Sequence, residues 1–272
     1  MTGLSRLRSW TLLSLGFCPN PGEKIRAFHL GPLQGYANRR FFEFVVPIAV
    51  RLLQRERTGL EGKIIHRDRH KKSILLDSPS LPFPLYVKHY VRHHLLQDLK
   101  DRFRGSQARK SFLLSLELEK RSIPTPPALA VLERWEKGIR REGFLICKGY
   151  AEGMPAARFL KTLHRQGSPE FQPALEAFGA FLRGVEQAGI RHGCLMSSVL
   201  TVPEAGQPPS YYLTDLEQLC TLGGINDHDC FRMVKDIRRE LASVPREFLE
   251  AFSREGRRIG SRILQHPAMV VS

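Results

Sequence analysis

The feature that most constrains the fold is a short hairpin within residues 189–218. Two apolar runs flank a Pro- and Gly-rich turn at residues 203–209, which is the pattern of two antiparallel strands joined by a tight connection. A loop that contains His192 precedes the first strand, and Asp215 follows the second. The chain must therefore fold so that a histidine-bearing loop and a carboxylate flank one hairpin.

Length and charge set the next limits. The chain has 272 residues, of which 42% are hydrophobic, and can bury a core as one two-lobed domain or as two small domains. Its formal net charge is +15 at pH 7. This charge favours an anionic partner, and phosphosugars, acidic lipid headgroups and nucleic acid all fit that description. Charge alone does not choose among the three.

The cysteines and the apolar runs indicate the compartment. Five cysteines are scattered along the chain without a Cys-x-x-Cys pair, which argues for a reducing compartment and against a disulfide framework or a zinc site. No apolar run has the length of a membrane span. Residues 10–17 are apolar but are followed by Pro19 and Pro21, so they make a poor signal peptide. The sequence predicts a cytoplasmic protein, with membrane contact through its positive charge.

Residues 1–57 are predicted to form an N-terminal extension. Residues 41–53 are apolar, are predicted to be helical after Pro47, and have arginines on both sides. Such a basic amphipathic helix can pack on the main domain or dock on a membrane surface. Packing on the main domain is the favoured interpretation.

Residues 58–149 have the pattern of a small antiparallel domain. Lys88 lies in the third strand, within an apolar frame, and residues 108–120 form a helix after that strand. The five predicted strands are residues 63–69, 73–77, 85–90, 128–133 and 143–148.

Residues 150–272 are predicted to be mainly helical around the hairpin. Two helices, at residues 156–164 and 173–188, precede it, and a pair at residues 229–244 and 245–258 follows it. Strands and helices are therefore largely segregated, which indicates an α+β fold.

Six short runs occur in the order in which they occur in one known family. They are Tyr86-Val87-Lys88-His89-Tyr90, Phe103-Arg104-Gly105-Ser106-Gln107-Ala108-Arg109, Ser122-Ile123-Pro124-Thr125-Pro126, Ala130-Val131-Leu132-Glu133-Arg134, Gly189-Ile190-Arg191-His192-Gly193 and Tyr212-Leu213-Thr214-Asp215-Leu216. Together they resemble the Kdo/WaaP lipopolysaccharide kinase family over residues 60–245. The resemblance implies a two-lobed, protein-kinase-like fold with a five-stranded antiparallel small lobe and a mainly helical large lobe.

The resemblance also implies ATP-dependent phosphorylation of lipopolysaccharide core sugars at the cytoplasmic side of the inner membrane. Lys88 would then contact the nucleotide phosphates, and Asp215 would hold Mg²⁺. The catalytic Asp of the family falls on Cys194, and its second metal-side residue falls on Val199. The Glu of the small-lobe helix, which pairs with the lysine in the family, falls on Ser111.

Three of these positions depart from the family in a way that affects the chemistry. The base Asp orients the attacking hydroxyl and accepts its proton, whereas a neutral thiol at Cys194 is a weak acceptor. Val199 has no ligand atom for a hard cation, and Ser111 carries no charge to pair with Lys88. No residue is therefore assigned as catalytic.

Two histidine patterns are interpreted as carrying no chemistry. His66-Arg67-Asp68 spells the catalytic tripeptide of kinases, but it precedes the strand of Lys88 and is interpreted as a coincidence. His89, His93 and His94 have no further ligand at metal spacing and are interpreted as a solvated basic face.

Three functional hypotheses follow. The first is a pseudokinase of the lipopolysaccharide kinase family that binds nucleotide and an anionic phosphosugar or the lipopolysaccharide core, with contact to the anionic inner-membrane surface. The second is an active sugar kinase with a rearranged site. The third is a basic nucleic-acid-binding protein, which is the least favoured because the basic residues are not interleaved with aromatic ones.

Overall fold

The computed structural model describes residues 24–54, 62–67, 71–91, 106–136, 139–188, 190–192 and 198–222. Within these ranges the chain forms two compact units. The first contains residues up to 117 together with residues 126–151, and the second contains residues 118–125 and those from 152 onward.

The first unit is built on a seven-stranded antiparallel sheet. Its strands are β1 (Ile25–Leu30), β2 (Leu33–Asn38), β3 (Gly62–Arg67), β4 (Lys71–Leu76), β5 (Leu85–Val91), β6 (Ala128–Glu136) and β7 (Ile139–Lys148). They lie side by side in the order β1-β2-β6-β7-β5-β4-β3. The three strands β6, β7 and β5 are therefore central, and their near-continuous apolar sequence suits strands that are covered on both faces.

Helix α1 (Phe42–Gln54) covers one face of this sheet. Its Val45, Val46 and Ala49 pack against Val87 of β5 and Ile146 of β7 in one apolar cluster. Burial of each large aliphatic side chain in such a cluster contributes about 1.5–3 kcal/mol to stability. The helix includes Pro47 and begins five residues before it, earlier than the sequence predicts.

Helix α2 (Gln107–Lys120) covers the opposite face. Its Ala108 and Phe112 pack against Tyr90 of β5, Val131 of β6 and Leu145 of β7. The Ser106 hydroxyl accepts a hydrogen bond from the Arg109 amide at 3.1 Å and so caps the first turn of the helix.

The second unit combines helices with short strands. Helices α3 (Ala156–Arg165) and α4 (Phe171–Gln187) accompany β8 (Met154–Pro155), β9 (Ile190–His192), β10 (Val199–Glu204), β11 (Gln207–Leu213) and β12 (Leu219–Leu222). Strands β10 and β11 form the predicted hairpin, β8 pairs with the outer side of β10, and β12 pairs with β9. None of the helices in the described ranges is long and apolar enough to span a membrane.

The predicted α+β class is confirmed, but the predicted number of strands in the small-lobe sheet is wrong. The sheet has seven strands, because β1 and β2 extend it beyond β6. Both new strands lie within residues 1–57, and the helix of that segment packs on the sheet. The helices predicted at residues 229–244 and 245–258 lie outside the described residues.

We expect Gly35→Ala to destabilise the protein by about 1–3 kcal/mol, the usual cost of overpacking. A Cβ at position 35 would collide with the Val131 carbonyl oxygen and would lie 2.8 Å from the Phe28 ring, so β2 could not keep its pairing with β6. Gly184→Ala is the matched control. Position 184 lies in α4 with ordinary contacts, so alanine there should raise stability by about 0.5–1 kcal/mol. Urea unfolding measures both, and equal effects would contradict the packing described.

Candidate functional site

Lys88 is a buried cation of the central sheet. It lies in the middle of β5, where its cross-strand neighbours are Ser73 of β4 and Leu145 of β7. Only 3% of its surface is exposed. Lysine is almost never this buried unless acceptors or negative charge compensate for its lost hydration. The residue therefore lies where its ammonium group depends on nearby acceptors or negative charge.

Helix α2 carries Ser111 on the stripe that faces the sheet. Ala108, Ser111, Phe112 and Ser115 are all buried and are spaced by three and four residues, so they share one face of the helix. The Ser111 hydroxyl has no hydrogen-bond partner among the described residues. Lys88 and Ser111 therefore both belong to the sheet face that α2 covers, and the helix offers a neutral hydroxyl at position 111.

Asp215 follows β11 in an unusual backbone conformation. Its φ of +52° lies in the left-handed region, which an aspartate adopts far less often than a glycine. The preceding Thr214 is fixed twice, because its amide donates to the Ser198 carbonyl at 2.7 Å and its hydroxyl donates to the same oxygen at 2.8 Å. The Leu213 amide donates to the Pro124 carbonyl at 2.8 Å. These bonds hold the half-buried carboxylate at the exit of the hairpin.

Tyr211 anchors the same strand to a helix. Its hydroxyl donates to the Ala174 carbonyl of α4 at 2.8 Å, and its ring packs against Phe178 with centroids 5.0 Å apart. Burial raises the pKa of the Tyr211 hydroxyl well above its ordinary value of 10.0. The sequence did not single out this tyrosine, although its alternation with Leu213 along β11 indicates that both face the core.

The remaining predicted site positions fall partly outside the described residues. Val199 opens β10 opposite Leu213 and is buried, so it contributes an apolar side chain where the family has a metal-side residue. Cys194 lies outside the described residues. His192 has its backbone in β9, paired with Leu219.

The interpretation of His89 as part of a solvated face is wrong. Its ring stacks on Phe144 at a centroid distance of 4.2 Å, and its Nε2 lies 2.8 Å from a carboxylate oxygen of the buried Glu142. Arg134 contacts the other oxygen of Glu142 at 2.8 Å. His66, by contrast, is exposed on the edge strand β3, and Asp68, His93 and His94 lie outside the described residues.

The chain is similar to solved structures of kinase-like fold. No protein-family model and no curated protein matches the chain. Among solved structures, WaaP in complex with acyl carrier protein matches with a TM-score of 0.52 and 15% sequence identity, over 88% of this chain and 99% of that one. A double mutant of the PknI kinase domain from Mycobacterium tuberculosis matches over 59% of each chain, with 14% identity and a TM-score of 0.35. The protein therefore has the WaaP-like, kinase-like fold that the sequence predicts.

We expect Tyr211→Phe to lower the stability at neutral pH by about 0.5–1.5 kcal/mol, since the carbonyl of Ala174 loses its buried donor.

The same variant tests the raised pKa. The unfolded tyrosine loses its proton above pH 10.0 while the folded one keeps it, so stability should fall as pH rises above 10.0. Tyr211→Phe should remove that part of the decline, and Tyr212→Phe, which keeps Tyr211, should retain it. Guanidinium unfolding between pH 8 and pH 11 measures both. An unchanged alkaline decline in Tyr211→Phe would contradict the assignment.

Proposed function

We propose that this protein is a kinase-fold member of the lipopolysaccharide kinase group that binds ATP and is impaired in phosphate transfer. The observation that carries the proposal is the burial of Lys88 in the central strand β5, on the face covered by α2. An ammonium group at such a position needs acceptors or negative charge nearby, and in kinase-like folds a lysine of the small-lobe sheet contacts the nucleotide phosphates. The triphosphate of a nucleotide is the anion that this fold suggests.

Within this proposal the two units act as the two lobes, with a boundary near residues 149 and 150. Lys88 contacts the nucleotide phosphates, and Asp215 supplies the hard oxygen ligand that Mg²⁺ requires. The left-handed backbone of Asp215 supports its role, because strained non-glycine residues tend to persist at functional sites. Bound Mg²⁺ would neutralise charge on the phosphate oxygens.

Impaired transfer follows from three positions that depart from the lipopolysaccharide kinase family. Val199 is buried and apolar, so it cannot ligate a metal, and Ser111 cannot pair with a lysine as a carboxylate does. Cys194 takes the sequence position of the catalytic base and would accept a proton poorly in its neutral form. These substitutions favour binding without efficient chemistry over an active sugar kinase.

The acceptor class follows from the charge and from the fold. The net charge of +15 suits a phosphosugar or the lipopolysaccharide core, and it also suits the anionic surface of the inner membrane. We therefore place the protein in the cytoplasm, in peripheral contact with that membrane. The same charge would also attract nucleic acid, but no nucleic-acid-binding module supports that alternative.

A thermal-shift titration with ATP tests nucleotide binding. A ligand that binds only the folded protein raises its Tm, so millimolar ATP should stabilise the wild type and Mg²⁺ should increase the shift. Lys88→Ala should lose the ATP effect, and Asp215→Asn should lose only the increase from Mg²⁺. Lys120→Ala removes an exposed lysine at the end of α2 and should retain both effects. An ATP shift that survives in Lys88→Ala would count against the proposed site.

Transfer of labelled γ-phosphate from ATP to purified lipopolysaccharide tests the impairment. We expect the Cys194→Asp/Val199→Asn variant to exceed the wild type by about 10²-fold or more, the usual contribution of a positioned general base. Cys194→Asn/Val199→Asn restores the size of the side chains without the base and should remain at the wild-type level. Efficient transfer by the wild type would instead establish an active kinase with a rearranged site.

A further inference from the structure

A cavity of about 360 Å³ lies in the first unit, on the sheet face that α2 covers. Its floor is a set of cross-strand pairs, because Gln34 of β2 lies opposite Glu133 of β6 and Tyr36 lies opposite Val131. His29 of β1 pairs with Gln34 and so extends the row of neighbours that Gln34 and Glu133 form. The cavity is thus built by β1 and β2, the two strands that were not predicted.

Glu133 is the buried charge of this cavity. Only 6% of its surface is exposed, and it forms no ion pair with any of the described residues. Its Oε1 atom has no hydrogen-bond partner among those residues. A buried carboxylate oxygen without a donor among the described residues lowers stability, because burial removes the water that would otherwise solvate it.

Arg109 of α2 lines the cavity with the opposite charge. Its guanidinium donates to the Tyr36 hydroxyl at 2.9 Å and lies 5.0 Å from the centre of the Tyr36 ring. It is therefore held against Tyr36. A guanidinium has five N–H donors, so one bond to a hydroxyl leaves capacity for a further acceptor.

We propose that this cavity binds a small zwitterion whose ammonium group meets Glu133 and whose carboxylate meets Arg109. The ammonium group of the ligand then supplies the donor that Glu133 Oε1 lacks among the described residues, and its carboxylate uses the remaining donors of Arg109. Charge-assisted hydrogen bonds of this kind are the strong ones. The volume of about 360 Å³ is that of a small-molecule site. The ring of Tyr36 adds aromatic surface to the lining.

This site is distinct from the proposed nucleotide site. Lys88 lies on β5, and no residue of β5 lines the cavity. Among the described residues, the lining comes from β1, β2, β6 and α2. Binding of a zwitterion can therefore be tested without nucleotide, and its failure would leave the ATP titration unaffected.

The test uses the full chain and three probes of matched size. 4-Aminobutyrate carries both charges, butylamine carries only the ammonium group, and butyrate carries only the carboxylate. Isothermal titration calorimetry at constant ionic strength should give the tightest binding for 4-aminobutyrate. Failure of 4-aminobutyrate to bind would overturn the proposal and would mean that water satisfies Glu133. Equal binding of butylamine would overturn the assignment of a zwitterion.

The variants separate binding from folding. Glu133→Gln should weaken 4-aminobutyrate binding about 10-fold or more, since a charged hydrogen-bond partner is lost. It should also raise the Tm of the unliganded protein by about 2–4 °C, which a merely structural glutamate would not do. Glu136→Gln is the control, because this exposed residue lies at the end of the same strand and pairs with Arg134 and Arg141. It should leave probe binding unchanged.

A second variant, Arg109→Gln, keeps the proposal testable if Glu133→Gln does not fold. Arg109→Gln should reduce 4-aminobutyrate binding to the level of butylamine in the wild type. Wild-type affinity for 4-aminobutyrate in either Glu133→Gln or Arg109→Gln would contradict the proposal.

Discussion

The two-sided burial of the central sheet is the constraint on which the rest of the first unit depends. Side chains of a strand alternate between faces, so Leu85 and Val87 enter the core under α1, whereas Lys88 and Tyr90 enter the face under α2. A shift of β5 by one residue would exchange these sets and bury Lys88 among the aliphatic side chains under α1. The hydrophobic pattern that fixes the register therefore also fixes the face on which the charged lysine lies.

Much of this sheet could be predicted from the sequence, because β5, β6 and β7 are strongly apolar and local pattern suffices to identify them. Residues 25–38 could not be assigned in this way. They form β1 and β2 with most side chains only partly buried, and their pattern has little apolar periodicity. What makes them strands is the pairing of β2 with β6, a contact across about a hundred residues of sequence. The positions of Gly35 against Val131 and of Gln34 against Glu133 follow from that pairing and are invisible in any local window.

The residues of the candidate site also divide into those that the local sequence pattern identifies and those that it does not. The sequence shows Lys88 as a cation in an apolar strand and Asp215 as a carboxylate after a hairpin, and the family resemblance assigns their roles. The error at His89 has a physical cause. His89 is two residues from Val87 and four from Leu85, so it lies on the same buried face of β5. The sequence interpretation instead groups it with the nearby His93 and His94. Glu142 lies on the same face of β7 as Phe144 and Ile146. It supplies the acceptor that allows a histidine to be buried there.

The two sites proposed for the first unit share one sheet face and one helix. Leu145 pairs with both Lys88 and Val131, so a single row of cross-strand neighbours leads from the lysine to the floor of the cavity. Helix α2 carries Ser111 on its buried stripe and Arg109 in the cavity wall. Proximity of this kind does not by itself couple two ligands. A zwitterion bound at Arg109 can change the affinity for nucleotide only if it binds differently to two positions of α2, and the coupling must then act equally in both directions.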